Sequence, residues 1–303
     1  MTDFKRILCP IDFSDASRHA TDHAVAIAGW YGSHVTALHV LQQPLNFEPP
    51  ILFAERGGLK TLPANREQVL SRLHDWMQPA SKALVQWDTR IDEGVPAECV
   101  LQYARFLPAD LIVMGSHGKS GFEHLVLGSV TEKVLRNAGC PVLTVPPRAS
   151  TASKLPFRRL LCPVDFSTPS LEALQVAFSL AEEADAELTV LNVIDWPDDD
   201  TFLTETFDSP EMRKQLETQT AQRVDARIPD DARVWSRPSA RVAVGKAYQE
   251  IVKAAGDVAA DLIVVGVHGR NALDLTLFGS TTNQVVRRAS CPVLTIRSTQ
   301  YAR

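Results

Sequence analysis

The stretches DLIVMGSHGKSGFEHLVLGSVTEKV (residues 110–134) and DLIVVGVHGRNALDLTLFGSTTNQV (residues 261–285) lie 151 positions apart. Each opens on a short apolar run with few polar interruptions, the pattern of a strand buried on both faces of a parallel sheet. Each then passes through G-x2-G-x9-G-Ser into a predicted helix. A strand that hands over to a helix is one βα unit, and a series of such units builds an open, mostly parallel sheet with helices on both faces.

Working outward, two more blocks recur. LCPIDFS (8–14) returns as LCPVDFS (161–167) at an offset of 153, and CPVLTV (140–145) returns as CPVLTI (291–296) at 151. A period near 150 is too long for a solenoid repeat, so the chain reads as one α/β domain written twice. The expected domains are 1–147 and 157–303, with a linker at 148–156 inside a Pro/Ser/Ala-rich stretch. In the first half the pattern predicts strands near 5–11, 34–41, 85–91, 111–115 and 141–145. Helices are expected near 15–30, 65–84, 96–107 and 129–138. In the second half it predicts strands near 158–164, 187–194, 233–237, 261–266 and 292–296, with helices near 168–184, 210–227, 246–258 and 280–289. Ser14 is placed to cap the first helix. The segments 42–64 and 195–210 break the likeness between the halves, the first rich in Pro and Gly and the second acidic.

The bulk composition excludes several classes. The 303 residues carry 31 Lys+Arg against 36 Asp+Glu, a formal net charge of −5, which is not the basic footprint of a nucleic-acid binder. No apolar run approaches the ~18 residues of a membrane span. The N-terminal apolar stretch is cut by Asp12 too early for a signal peptide. Five cysteines form no framework, which suits a reducing cytoplasm.

In open α/β sheets ligands sit outside the carboxyl ends of the strands, where the strand order reverses. The two glycine loops start at such an end. Gly115, Gly118 and Gly128 allow tight backbone and close approach of a ligand, and Gly266, Gly269 and Gly279 repeat them. At the helix start that follows, the N–H groups of Ser129, Val130 and Thr131 point outward with the helix dipole behind them, an arrangement that favours phosphate. Ser280, Thr281 and Thr282 are the counterparts. Ser129 with Glu132 also fits a capping box, and Thr281 with Gln284 a similar one, so these hydroxyls have two possible uses. Asp12 and Asp165 follow the first strand of each half; a carboxylate there accepts from a ribose hydroxyl or an adenine amino group, or else caps the next helix. Neither G-x4-G-K-[ST] nor G-x-G-x-x-G is present.

An Asp after the first strand, followed later by G-x2-G-x9-G-[ST], resembles the universal stress protein family, and the likeness runs over the chain twice, as in tandem members. The resemblance implies a five-stranded parallel sheet of order 3-2-1-4-5 in each half and ATP, with or without Mg²⁺, as ligand. It assigns Asp12 to ribose or adenine, Val40 and Met114 to an adenine slot, and Gly115, Gly118, Gly128, Ser129 and Thr131 to ribose and phosphates. In the second half the matching residues are Asp165, Val193, Val265, Gly266, Gly269, Gly279, Ser280 and Thr282. Pairing through the last strands, 142–145 beside 293–296, and a homodimer of the whole chain are further expectations. The halves depart at Ser116/Val267, His39/Asn192 and Gly121/Ala272, so the second site is expected to differ in affinity.

His117 and His268, with Lys119 and Arg270, lie within the loops, where each is either a phosphate contact or a structural or solvated side chain. Hydrolysis needs a positioned water and commonly a metal, and no Walker-B-like carboxylate is apparent. The expected activity is therefore adenine-nucleotide binding that regulates conformation, dimerisation or a protein partner. Slow ATP hydrolysis and a nucleotide-free scaffold acting through 42–64 and 195–210 are the alternatives. His19 and His23, at i,i+4, read as an exposed helix face rather than a metal site, and Cys9, Cys140, Cys162 and Cys291 as buried small residues.

Overall fold

The computed structural model describes residues 4–42, 66–117, 127–147, 149, 156–195, 210–235, 238–267 and 279–297. The first half runs β1 (Arg6–Pro10), α1 (Asp15–Tyr31), β2 (His34–Leu41), α2 (Arg66–Trp76), α3 (Gln78–Lys82), β3 (Gln86–Glu93), α4 (Pro96–Phe106), β4 (Leu111–Gly115), α5 (Ser129–Asn137) and β5 (Val142–Val145). The second runs β6 (Arg159–Pro163), α6 (Thr168–Ala184), β7 (Glu187–Ile194), α7 (Pro210–Asp225), α8 (Ala232–Trp235), β8 (Ser239–Val244), α9 (Ala247–Asp257), β9 (Leu262–Gly266), α10 (Ser280–Arg288) and β10 (Val293–Ile296).

Each half has the expected order 3-2-1-4-5, and the two sheets join into one of ten strands, β3-β2-β1-β4-β5-β10-β9-β6-β7-β8. Pairing is parallel throughout except at the centre, where β5 and β10 run antiparallel with Thr144 opposite Val293, Leu143 opposite Leu294 and Val142 opposite Thr295. The Thr144 hydroxyl donates to the Val293 carbonyl (3.2 Å) and the Thr295 hydroxyl to that of Val142 (3.1 Å). These buried hydroxyls are thereby satisfied across the seam, as a buried polar group must be.

Alternation along the strands divides the core into two layers. Ile7, Cys9, Leu111 and Val113 pack with α1, α2 and α3, while Leu8, Ile112 and Met114 pack with α4 and α5; the second half repeats this with α6, α7 and α8 against α9 and α10. The repeated Asp that opens DLIV has a structural use. Asp110 accepts the N–H groups of Lys5 (3.1 Å) and Arg6 (2.9 Å), and Asp261 those of Arg158 (2.9 Å) and Arg159 (3.0 Å), which ties the start of β4 to β1 and of β9 to β6.

Two expected elements are corrected. The helix expected over 65–84 is split into α2 and α3 around Met77, because Pro79 has no N–H for the carbonyl one turn back. The strand expected at 233–237 is displaced to Ser239–Val244, and residues Ala232–Trp235 form a helical turn. Asp231 nucleates that turn: its side chain accepts the Ala232 N–H (2.9 Å) and its carbonyl the Val234 N–H (3.0 Å). Arg233 is drawn back to the carboxylate of Asp225 (2.9 Å). The true register follows the glycines. Gly94 (φ 145°) closes β3 by donating to Leu41, and Gly245 (φ 144°) closes β8 by donating to Ile194, both at 3.0 Å.

Candidate functional site

In the strand order, β1 and β4 are neighbours whose connections leave in opposite directions: α1 lies on one face of the sheet and α5 on the other. The carboxyl ends of these two strands therefore splay their following chains apart, which is the switch-point geometry that leaves a crevice. Asp12 and Gly115 stand at those ends, and Asp165 and Gly266 at the ends of β6 and β9. Val40 and Met114 pack on the α4–α5 face, and Val193 with Val265 do the same on the α9–α10 face of the second half.

The Asp turn has the same build twice. The Asp12 Oδ1 accepts from the N–H (3.0 Å) and hydroxyl (2.5 Å) of Ser14, and the Asp165 Oδ1 from the N–H (3.0 Å) and hydroxyl (2.5 Å) of Ser167. Ser14 caps α1 as expected, with Ser17 completing a reciprocal box, and Ser167 caps α6. The preceding backbone is fastened to the next strand. His39 Nδ1 lies 2.6 Å from the Ile11 carbonyl and, facing a pure acceptor, carries its proton there. Asn192 Nδ2 donates to the Val164 carbonyl at 2.7 Å. His39 and Asn192, which looked like a departure between the halves, perform the same bond.

The base of the glycine loop closes on itself. The Gly128 N–H donates to the Ser116 carbonyl and that of Gly279 to Val267, both at 3.0 Å. Helices α5 and α10 begin with Gly128 and Gly279 at their N-caps and have no side-chain cap. Neither expected capping box forms. Glu132 turns instead to Arg136 (3.2 Å) and to Arg287 of the other half (3.7 Å), and Gln284 accepts from Arg288 (3.2 Å). Ser129 and Ser280 are exposed at these uncapped first turns. Thus two helices start at each crevice: one closed by its own serine, the other without a side-chain cap among the described residues, the kind of helix start that suits an anion.

Three pairs of these residues have uses within the fold itself. Thr131 and Thr282 are buried and spend their hydroxyl protons on the carbonyls of Gly115 (2.9 Å) and Gly266 (2.8 Å), so those protons fasten the helix to the strand end. Gly115 and Gly266 make room for protein: a Cβ on Gly115 would lie 2.9 Å from the Ala16 Cβ, and one on Gly266 2.7 Å from the Pro169 carbonyl oxygen. Ser116 and Val267 are 1% and 2% exposed, so this difference lies in the core; the Ser116 hydroxyl meets His117 Nδ1 at 2.8 Å. Val130 and Thr281 sit half-buried in the open first turns. Gly118, Lys119, His268, Gly269 and Arg270 lie outside the described residues, as does Gly121.

Sequence reasoning missed Phe13 and Phe166, which follow the two aspartates with φ of 62° and 66°. Their repetition inside LCP-x-DFS was the available signal. The exposed face expected for His19 and His23 is corrected: His23 is buried with its ring nitrogen on the His19 carbonyl (2.8 Å), and burial pulls its pKa down. No metal-ligating cluster occurs among the described residues. Burial raises every shifted thiol, Cys9, Cys140 and Cys291 to about 12. Likewise, no helix among the described residues is long and apolar enough to cross a membrane.

Comparison with known proteins agrees with this double build. A model of the universal stress protein family matches residues 3–146 and again 156–297. A universal stress protein of Methanocaldococcus jannaschii is 35% identical over 146 residues, covering 47% of this chain and 82% of its own. One from Synechocystis is 25% identical over 311 residues, covering 97% of this chain and 100% of its own. A crystal structure of a universal stress protein from Archaeoglobus fulgidus shares the fold at a TM-score of 0.64 and 19% identity, over 96% of this chain and 98% of that one. With both halves matched in sequence and the sheet order repeated in each, the chain belongs to the universal stress protein family.

Proposed function

We propose that each half binds an adenine nucleotide, ATP with or without Mg²⁺, in the crevice between its first and fourth strands. The protein then acts as a regulator whose nucleotide-bound state sets its conformation or its partners. The observation that carries this reading is the pair of uncapped helix starts, α5 and α10, each at a switch point that also presents an aspartate. In this reading the nucleoside end lies by Asp12 or Asp165, against Val40 and Met114 or Val193 and Val265. The phosphates lie over the N–H groups of Ser129–Thr131 or Ser280–Thr282 and within reach of the loop residues His117, Gly118 and Lys119 or His268, Gly269 and Arg270. A ligand of this kind shifts a regulatory equilibrium only by binding one conformation more tightly than another. The last strands are already paired within the chain, so a homodimer uses another surface.

The test is calorimetric titration of ATP into the full chain, with and without Mg²⁺, beside Gly128→Ala, Gly128→Val and Gly279→Val. Among the described residues a Cβ at Gly128 meets only ordinary contacts, 3.5 Å or more from its neighbours, so alanine there is expected to keep the fold and intrude on the ligand. Two sites in wild type, with one lost in each valine variant, is the expected outcome. Absence of binding at about 1 mM, which corresponds to about −4 kcal/mol, overturns the reading.

A further inference from the structure

The Asp turns contain a feature that ligand binding by itself does not explain. Phe13 and Phe166 occupy left-handed backbone, a region that bulky side chains seldom adopt unless the surroundings dictate it. In both halves a guanidinium covers the ring. Arg72 of α2 stands 4.1 Å from the centroid of Phe13, and Arg223 of α7 stands 3.9 Å from that of Phe166. Phe13 is further held between His39, at 4.7 Å, and the edge of Trp76, at 5.4 Å. Arg72 and Arg223 are 151 positions apart, yet the segments leading into their helices, 42–64 and 195–210, differ in composition and charge. The same guanidinium-on-ring contact is thus made in both halves although the segments leading to it differ. Each aromatic sits between an aspartate and the serine that bonds it, so a ring held still fixes the carboxylate as well.

We propose that Arg72 and Arg223 are positioning residues for the nucleotide: each pins the Asp-Phe turn of its half by stacking on the ring, and so holds Asp12 or Asp165 at the nucleoside end of the crevice. The inference rests on the nucleotide reading above and adds to it a pair of arginines that touch no ligand. Both are exposed, so replacing either leaves the folded core intact.

Titrations of ATP and of adenosine into the full chain carrying Gly279→Val, which isolates the first site, test the idea with Arg72→Ala, Arg72→Lys, Asp12→Ala and the Asp12→Ala/Arg72→Ala double variant. Arg72→Ala is expected to weaken ATP and adenosine alike, by about two- to five-fold, the range an exposed cation–π contact supports. Arg72→Lys, which keeps a cation over the ring, retains most of the affinity. In the Asp12→Ala background the Arg72 effect vanishes, because the arginine acts through that carboxylate. An unchanged affinity in Arg72→Ala, or an effect that persists without Asp12, overturns the proposal. If Asp12→Ala weakens binding while Arg72→Ala does not, the positioning role alone fails. If the parent binds neither ligand, the nucleotide reading fails with it. Arg223→Ala with Gly128→Val is the mirror experiment at the second site.

Discussion

A methyl group at Gly115 would press on Ala16 in the first turn of α1, and at Gly266 on the backbone of Pro169 and Ser170 in the first turn of α6. Backbone on both sides of the contact cannot move aside cheaply. We expect Gly115→Ala and Gly266→Ala each to destabilise the fold by about 1–3 kcal/mol in urea unfolding, the usual cost of overpacking. Gly128→Ala, by contrast, should leave the urea midpoint nearly unchanged. The sequence showed three glycines per loop as one motif; the packing role of Gly115 was hidden because its partner, Ala16, lies 99 positions upstream. The thiols make a second residue-scale prediction. Cys9 is pushed from 9.0 to about 12 by burial, partly offset by the Thr21 hydroxyl, and Cys140 and Cys291 rise to about 12 by burial, reinforced by Asp110 and Asp261. Because the folded pKa lies above the unfolded one, this stability is whole below pH 9 and is lost as pH rises towards 12. At pH 8 a thiol-specific reagent should leave the buried Cys9 and Cys291 unlabelled until denaturant is added.

At the scale of elements, the end of each first strand is pinned by one side chain of the second. Replacing the His39 ring with an amide reproduces what Asn192 already does in the other half. His39→Asn should therefore unfold at nearly the wild-type urea concentration, whereas His39→Leu, which strands the Ile11 carbonyl, should cost about 1–3 kcal/mol. Helix α5 is fastened at its far end by Arg297, which donates to the carbonyls of Arg136 (2.8 Å) and Ala138 (3.2 Å) from beyond β10. Most elements were legible because apolar runs and glycines recur in phase. Strand β8 was misplaced because ARVW reads as a strand by composition, while the Asp231 bonds that coil it are local side-chain chemistry. The expected capping boxes gave way to arginines one turn on, Arg136 for Glu132 and Arg288 for Gln284, and Glu132 gains a tertiary partner, Arg287, that no four-residue window contains.

At the scale of the molecule, β5 and β10 each complete the other's sheet. All eight of their residues are buried, and the flanks are tied by Glu132 with Arg287 and by the Tyr31 hydroxyl on Glu183 (2.5 Å). A first half produced alone, residues 1–147, would expose the VLTV edge, and unpaired apolar edges recruit partners. Since VLTV and VLTI differ at one position, that fragment should self-associate through β5 into a dimer in sedimentation equilibrium. A lysine at Thr144, which faces the seam, should return it to monomer.

The duplication was readable from the repeated blocks and the pairing of the last strands was what the family resemblance implied, whereas the closure of two sheets into one had to come from the strand order. That closure has a hereditary consequence. A dimer of identical chains mutates both of its sites with every change, so neither can drift while the other stays fixed. With the seam inside one chain, each half has its own codons. Glu132, which ties the seam, has Asn283 as its counterpart, and Ser116 in the core has Val267, so the two halves have already taken separate courses.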